Sequence, residues 1–138
     1  MSEELLIDAK LDNLGVVLDF VNAQLGSCPQ KTKNQISIAV EEIFANIAHY
    51  AYEHATGGAV VRVAVDGDFF IEFEDTGAAY DPLSAKEPDT SLPAAEREIG
   101  GLGIFMVKNI MDSVEYRRES NKNILTMRKK MNEPLAKL

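Results

Sequence analysis

Between Ser37 and Tyr52 the sequence reads Ser-Ile-Ala-Val-Glu-Glu-Ile-Phe-Ala-Asn-Ile-Ala-His-Tyr-Ala-Tyr, an apolar run at helical spacing with acidic and amide side chains on its inner side. A helix with a wide apolar stripe must lay it against another layer, and this one is long enough to cross a sheet. At 3.6 residues per turn, Glu42 and Asn46 lie about 40° apart on the helix, flanked by Ala39, Ile43 and Ile47. Glu41 points about 140° away from Asn46. A carboxylate and an amide so close to a core need something to satisfy them. On this helix alone, a solvated margin and a pair facing a ligand both remain open.

The chain of 138 residues has room for one domain with a sizeable core and for no second one. Its formal charge of −8 sets a nucleic-acid partner against the general field. No apolar run is long enough for a membrane span, and Met-Ser-Glu-Glu-Leu-Leu lacks the basic segment and apolar core of a secretory signal. The expectation is a cytoplasmic protein without a membrane or a direct nucleic-acid partner. Cys28 is the single cysteine, which excludes an intrachain disulfide and a cysteine-built zinc site. Beside Pro29 it reads as a loop residue.

Leu5 to Lys10 is a weak first strand. Asp12 or Asn13 is placed to cap a helix through Leu14, Val17, Leu18, Val21 and Leu25, which Gly26-Ser-Cys-Pro29 ends. The second helix is expected from about Gln30 to Glu53. Val61, Val63 and Val65 share one face of the next strand, and a hairpin at Gly67-Asp68 leads into Phe69 to Glu74. The two preceding helices are the available cover for this hairpin. Residues 113–119 and 123–129 form two further strands around a polar turn at Ser120 to Lys122, with Ile124, Thr126 and Arg128 on one face and Leu125, Met127 and Lys129 on the other. Residues 131–138 read as a charged, frayed tail. These elements predict an α/β two-layer sandwich, with a mixed sheet of about five strands and three principal helices on one face.

Periodicity fails from Ala78 to Ile99, where Pro82, Pro88 and Pro93 interrupt scattered acids and small residues. Long irregular connections in a compact domain are often lids or binding loops. Before this stretch, a strand ends in Glu74-Asp75-Thr-Gly77. After it, Gly100-Gly-Leu-Gly103 opens a helix through Ile104, Phe105, Val107, Lys108, Ile110 and Met111. Free N–H groups at a glycine-rich helix start can receive phosphate oxygens. Each signal is weak alone. Gly-Gly-Leu-Gly follows a loop rather than a strand, so it is no dinucleotide fingerprint, and it lacks the Gly-Lys-Ser/Thr of a Walker loop.

The order of these motifs is specific where each one is not. Glu42-x-x-x-Asn46 on a helix, Asp75-x-Gly77 after a strand, a variable loop, then Gly101-x-Gly103 opening a helix resembles the three boxes of the ATP-binding domain shared by histidine kinases, gyrase and MutL. Tyr80-Asp-Pro-Leu83, Gly100-Gly-Leu-Gly-Ile-Phe-Met-Val107, Met111-Asp-x-Val-x-Tyr116 and Asn123-x-Leu-Thr126 narrow the likeness to bacterial anti-sigma-factor serine/threonine kinases of the sporulation and stress-response type. The resemblance runs from about Leu5 to Lys129 and implies the histidine-kinase-like ATPase (Bergerat) fold.

It further implies roles for matching residues. Asn46 would coordinate the Mg2+ that bridges the phosphates of ATP, and Glu42 would orient or deprotonate the attacking hydroxyl. Asp75 would accept from the adenine amino group, favouring ATP over GTP, and Gly77 would give the ring room. Residues 78–99 would be the nucleotide lid, with Arg97 its better candidate for neutralising phosphate. Gly101, Leu102 and Gly103 would lie against the phosphates. Magnesium's preference for oxygen ligands and retained waters agrees with a single amide donor. There are departures: Tyr50 stands where many relatives carry His, with His49 one residue earlier and read as facing solvent, and Ala79 replaces a frequent glycine. The implied function is an ATP-dependent serine/threonine kinase and anti-sigma factor, a homodimer by resemblance, acting on a small anti-sigma-factor antagonist and holding a sigma factor. The alternative is an ATP-gated regulatory binding protein without kinase activity.

Overall fold

The computed structural model describes residues 2–52, 57–84 and 101–131. In chain order the elements are β1 (Ser2–Asp8), α1 (Leu14–Leu25), α2 (Gln30–Tyr50), β2 (Gly58–Asp66), β3 (Asp68–Asp75), α3 (Gly101–Ile110), β4 (Ser113–Glu119) and β5 (Lys122–Lys130), with short 3-10 turns at Leu11–Asn13 and Pro82–Ser84. The five strands lie in the order β1-β2-β3-β5-β4.

Every neighbouring pair is antiparallel, which corrects the expected mixed sheet. The reason is topological. α1 and α2 together bring the chain back beside β1 in the reverse direction. The crossover through α3 then sends β4 to the far edge, and the hairpin returns β5 into the gap between β3 and β4, so β3 and β4, which run the same way, never touch. Both hairpins follow from local chemistry. Gly67 takes a φ of 83° between Asp66 and Asp68, and Ser120 and Asn121 hold φ values of 52° and 64°. Two consecutive left-handed residues give the primed turn whose twist suits a hairpin.

The core lies between the sheet and the helices. α2 contributes Ile36, Ala39, Val40, Ile43 and Phe44, and the facing strands contribute Val61, Val63, Phe69, Ile71, Phe73, Leu125 and Met127. Burying an aromatic or branched side chain of this kind stabilises by roughly 1.5–3 kcal/mol, so this layer fixes the inclination of α2 and the direction its polar residues face. α1 adds Val17, Val21 and Leu25, and α3 adds Ile104 and Val107. The helix cap expected from Asp12 or Asn13 does not form: Asn13 donates from Nδ2 to the Asp8 carbonyl at 2.9 Å and thereby ties the end of β1 to the start of α1.

Candidate functional site

α2 carries Glu42 and Asn46 one turn apart, and Asn46 Nδ2 donates to Glu42 Oε2 at 3.3 Å. Asn46 is buried and Glu42 half-buried. Burial raises the Glu42 pKa above the ordinary carboxyl value, the Asn46 hydrogen bond works against that rise, and the charge of Glu41 adds to it. With its nitrogen given to Glu42, Asn46 keeps its amide oxygen as the atom to offer a cation. The third residue of α3 closes on the same spot: a Cβ placed on Gly103 would overlap the Glu42 carboxylate. The glycine therefore lets the start of α3, with its unpaired N–H groups, pack directly on the acid.

Asp75, the last residue of β3, is buried and its Oδ1 accepts from the Gly77 N–H at 2.9 Å. Gly77 is needed for close approach, because a Cβ there would overlap the Ala51 backbone at the end of α2. The contact is locked by the Ala78 N–H donating to the Ala51 carbonyl at 2.8 Å. Tyr52 holds the same junction, its hydroxyl donating to the Gly58 carbonyl at 2.7 Å and accepting from the Thr76 N–H at 3.0 Å.

Asp75 and Asn46 line one cleft, together with Ile43, Ala51, Phe73 and Leu125 on its apolar side and Tyr80, Tyr116 and Asn123 on its polar side. A small apolar slot with a few convergent polar groups suits a planar heterocycle. The structure thus brings Asn46 and Asp75 to one cleft, ties Gly77 to Asp75 behind it, and joins Glu42 and Gly103 to it through the Glu42–Asn46 hydrogen bond. Gly101 opens α3 as expected, and Leu102 follows it in the same helix. Arg97 lies outside the described residues, as do residues 85–100 of the expected lid. His49 is exposed, in line with its solvent-facing reading.

From sequence, four contributors have no assigned role in the site. Tyr50 stacks on Tyr80, with ring centroids 5.0 Å apart, joining the end of α2 to the root of the long loop. Arg118 Nη1 donates to the Gly77 carbonyl at 2.9 Å. Tyr116 lines the cleft, and Asn123 donates from Nδ2 to Asp75 Oδ1 at 2.9 Å. A signal for Asn123 existed: it falls in the register of Leu125 and Met127, the buried face of β5.

Among the described residues no group of three His, Cys, Asp or Glu side chains could hold a metal ion. The donor set, one amide oxygen beside a carboxylate and a helix start, instead fits a magnesium ion that arrives with phosphates and keeps its waters.

Residues 7–129 match the histidine kinase-like ATPase domain family. The chain belongs to that family. Among relatives, the serine-protein kinase RsbW of Halalkalibacterium halodurans is 29% identical over 124 residues, covering 85% of this chain and 76% of the relative. The anti-sigma F factor of Clostridium perfringens is 32% identical over 131 residues, covering 90% and 92%. The RsbU and RsbW domains of Rv1364c from Mycobacterium tuberculosis align with a TM-score of 0.66 at 15% identity, covering 95% of this chain and 32% of that one. A blue-light activated histidine kinase of Erythrobacter litoralis aligns at 0.61 and 16% identity, over 92% of this chain and 43% of the other. At these identities the solved structures establish the fold of this histidine kinase-like ATPase domain and nothing more.

Proposed function

We propose that this histidine kinase-like ATPase domain is a cytoplasmic serine/threonine protein kinase and anti-sigma factor that transfers the γ-phosphoryl group of ATP to a hydroxyl of a small anti-sigma-factor antagonist and, in its other state, holds a sigma factor. The observation that carries the chemistry is the Glu42–Asn46 pair against Gly103. Nucleotide retention alone needs no base, yet the carboxylate sits where a helix start can receive phosphate. The likeness to a serine-protein kinase and to an anti-sigma F factor supports the choice of substrate and partner.

In this reading Asp75 accepts from the amino group of adenine, Gly77 lets the ring approach, and the apolar wall of Ile43, Phe73 and Leu125 excludes water from it. Asn46 presents its amide oxygen to Mg2+, which supplies charge neutralisation at the phosphates when bound. The first turn of α3, from Gly101 through Leu102 to Gly103, offers N–H groups to the phosphates, and Arg97 is assigned to the same task from the lid at 78–99. Glu42 accepts the proton of the attacking hydroxyl as its oxygen bonds to phosphorus and ADP leaves. A homodimer is part of the proposal. Among the described residues β1 is an edge of the sheet, with Leu6 71% exposed, whereas β2 is interior and offers no edge.

The deciding experiment compares Glu42→Ala and Asn46→Ala for Mg-ATP binding and for labelled-phosphate transfer to a cognate antagonist found by pull-down. Glu42→Ala is expected to bind Mg-ATP while transfer falls by on the order of 10²–10⁴. Asn46→Ala is expected to lose magnesium-dependent binding and transfer together. Wild-type protein that binds ATP and antagonist tightly but transfers nothing would overturn the kinase assignment and leave an ATP-gated binding protein.

A further inference from the structure

Asn123 is a polar side chain on the core face of β5, only 6% exposed. A buried amide is costly unless its donors and acceptors are met, and here they are met from both sides. Its Nδ2 donates to Asp75 Oδ1 at 2.9 Å and to the Ala78 carbonyl at 2.8 Å. Its Oδ1 accepts from the Tyr116 hydroxyl at 2.6 Å, Arg118 Nη1 at 3.1 Å and the Tyr80 N–H at 3.4 Å. The amide has one acceptable orientation. Turned over, its N–H groups would meet the obligate donors of Arg118 and the Tyr80 backbone, and its oxygen would face a carboxylate and a carbonyl.

Sheet register produces this arrangement. Asp75 of β3 is the partner of Asn123, which is in turn the partner of Arg118 on β4, so three adjacent strands place carboxylate, amide and guanidinium in one row. Arg118 also donates to the Gly77 carbonyl. The segment from Asp75 to Tyr80 is thus pinned at four points by Asn123 and Arg118. Among the described residues both donors to Asp75, the Gly77 N–H and Asn123 Nδ2, meet Oδ1. Oδ2 is the atom left for a ligand.

We propose that Asn123 is a positioning residue for base recognition: it fixes the rotamer of Asp75 and the course of residues 75–80, and so sets the preference of the cleft for a purine bearing a 6-amino group. Arg118 acts through it by holding the amide oxygen. The inference rests on reading the cleft as an adenine-nucleotide site.

The test measures binding of Mg-ATP and of the Mg2+ complex of purine riboside triphosphate, which lacks the 6-amino group, to the intact protein by calorimetry, with thermal melts in parallel. Wild type is expected to favour ATP on the order of 10- to 100-fold, as befits one hydrogen bond to a charged group. Asn123→Ala should bring that ratio to about unity by weakening ATP while leaving the analogue nearly unchanged, and Arg118→Ala should give an intermediate ratio. Wild type that does not discriminate would defeat the adenine reading itself. If wild type discriminates, an unchanged ratio in Asn123→Ala overturns the role of Asn123, as does equal weakening of both nucleotides. Should Asn123→Ala not fold, Arg118→Ala decides: a wild-type ratio there overturns the proposal.

Discussion

At the scale of single residues, Glu42 is held at odds with its own charge. Its pKa is raised chiefly by burial, so the folded protein binds this proton more tightly than the unfolded chain does. As pH rises from the ordinary carboxyl value of 4.5 through the raised one, folding stability falls, and the ionised form at neutral pH carries that loss. Below the ordinary value the loss is absent. Glu42→Gln, which keeps the shape and the Asn46 partner without the charge, is therefore expected to melt at or above the wild-type temperature at neutral pH. The two should converge on acidification below the ordinary carboxyl value. A melt of Glu42→Gln well below wild type at neutral pH would show that the carboxylate stabilises the fold, against the sign argued here. The same shift moves the acid limb of any Glu42-dependent phosphotransfer to higher pH than a free carboxylate would give. Under the proposed role of Glu42 as base, this is a trade of stability for chemistry.

At the scale of elements, two glycines govern how neighbours meet α2, and the structure distinguishes them. At Gly103 the obstruction to a Cβ is the end of a flexible glutamate, and at Gly77 it is the backbone of Ala51. Gly103→Ala is accordingly expected to fold with a melting temperature near wild type while phosphotransfer falls at least tenfold, because the Glu42 carboxylate must move. Gly77→Ala should instead destabilise by about 1–3 kcal/mol, the usual cost of overpacking, and weaken nucleotide binding, since the Ala78–Ala51 and Gly77–Asp75 hydrogen bonds cannot both survive the shift. Denaturant titration of both variants checks the contrast, and equal stability would refute it. These elements were largely legible in the sequence: the apolar stripe of α2, the alternation of Val61, Val63 and Val65, and Gly67 each act through local chemistry that a linear reading detects. β1 was misjudged at its start because Ser2 to Glu4 have no apolar pattern and are strand only through pairing with Arg62, Val63 and Ala64. The neighbour relations of β3, β4 and β5 are likewise properties of assembly, and they alone put Asn123 beside Asp75. The Glu42–Asn46 pair was legible because one helix contains it; the support of Asp75 was not, because three strands must first align.

At the scale of the whole molecule, the sheet face opposite the helices is crossed by a chain of charges centred on Arg62. Its guanidinium donates to Glu4 of β1 at 2.7 Å and to Glu72 and Glu74 of β3 at 3.0 Å each, while Lys122 of β5 meets Glu74 at 3.2 Å and Arg117 of β4 approaches Glu72 at 3.8 Å. All five strands are therefore linked. Burial alone would raise the Glu74 pKa, but hydrogen bonds from Arg62 and Lys122 outweigh it and hold the pKa below the ordinary carboxyl value. Burial opposes the charge of Arg62 too, and its bonds to Glu74, Glu4 and Glu72 overcome that and raise its pKa. For a lowered carboxyl pKa the stabilisation is complete above the ordinary value of 4.5 and is lost as pH falls through the lower folded value. Arg62→Met keeps much of the apolar stem and removes the charge, leaving two poorly exposed carboxylates on β3 in a chain that already carries a net −8. It is expected to cost about 1–2 kcal/mol at neutral pH, the low end of the roughly 1.5–3 kcal/mol for hydrogen bonds to charged groups once partial solvent screening is allowed for. The Glu4 arm, half-exposed, should respond to salt, whereas the two inner pairs are screened less. Denaturant midpoints for wild type and Arg62→Met across the acid range check the assignment: the gap should close as pH drops below the ordinary carboxyl value. A gap that stays constant there would mean that the arginine stem stabilises the sheet by packing and that its charges contribute nothing net.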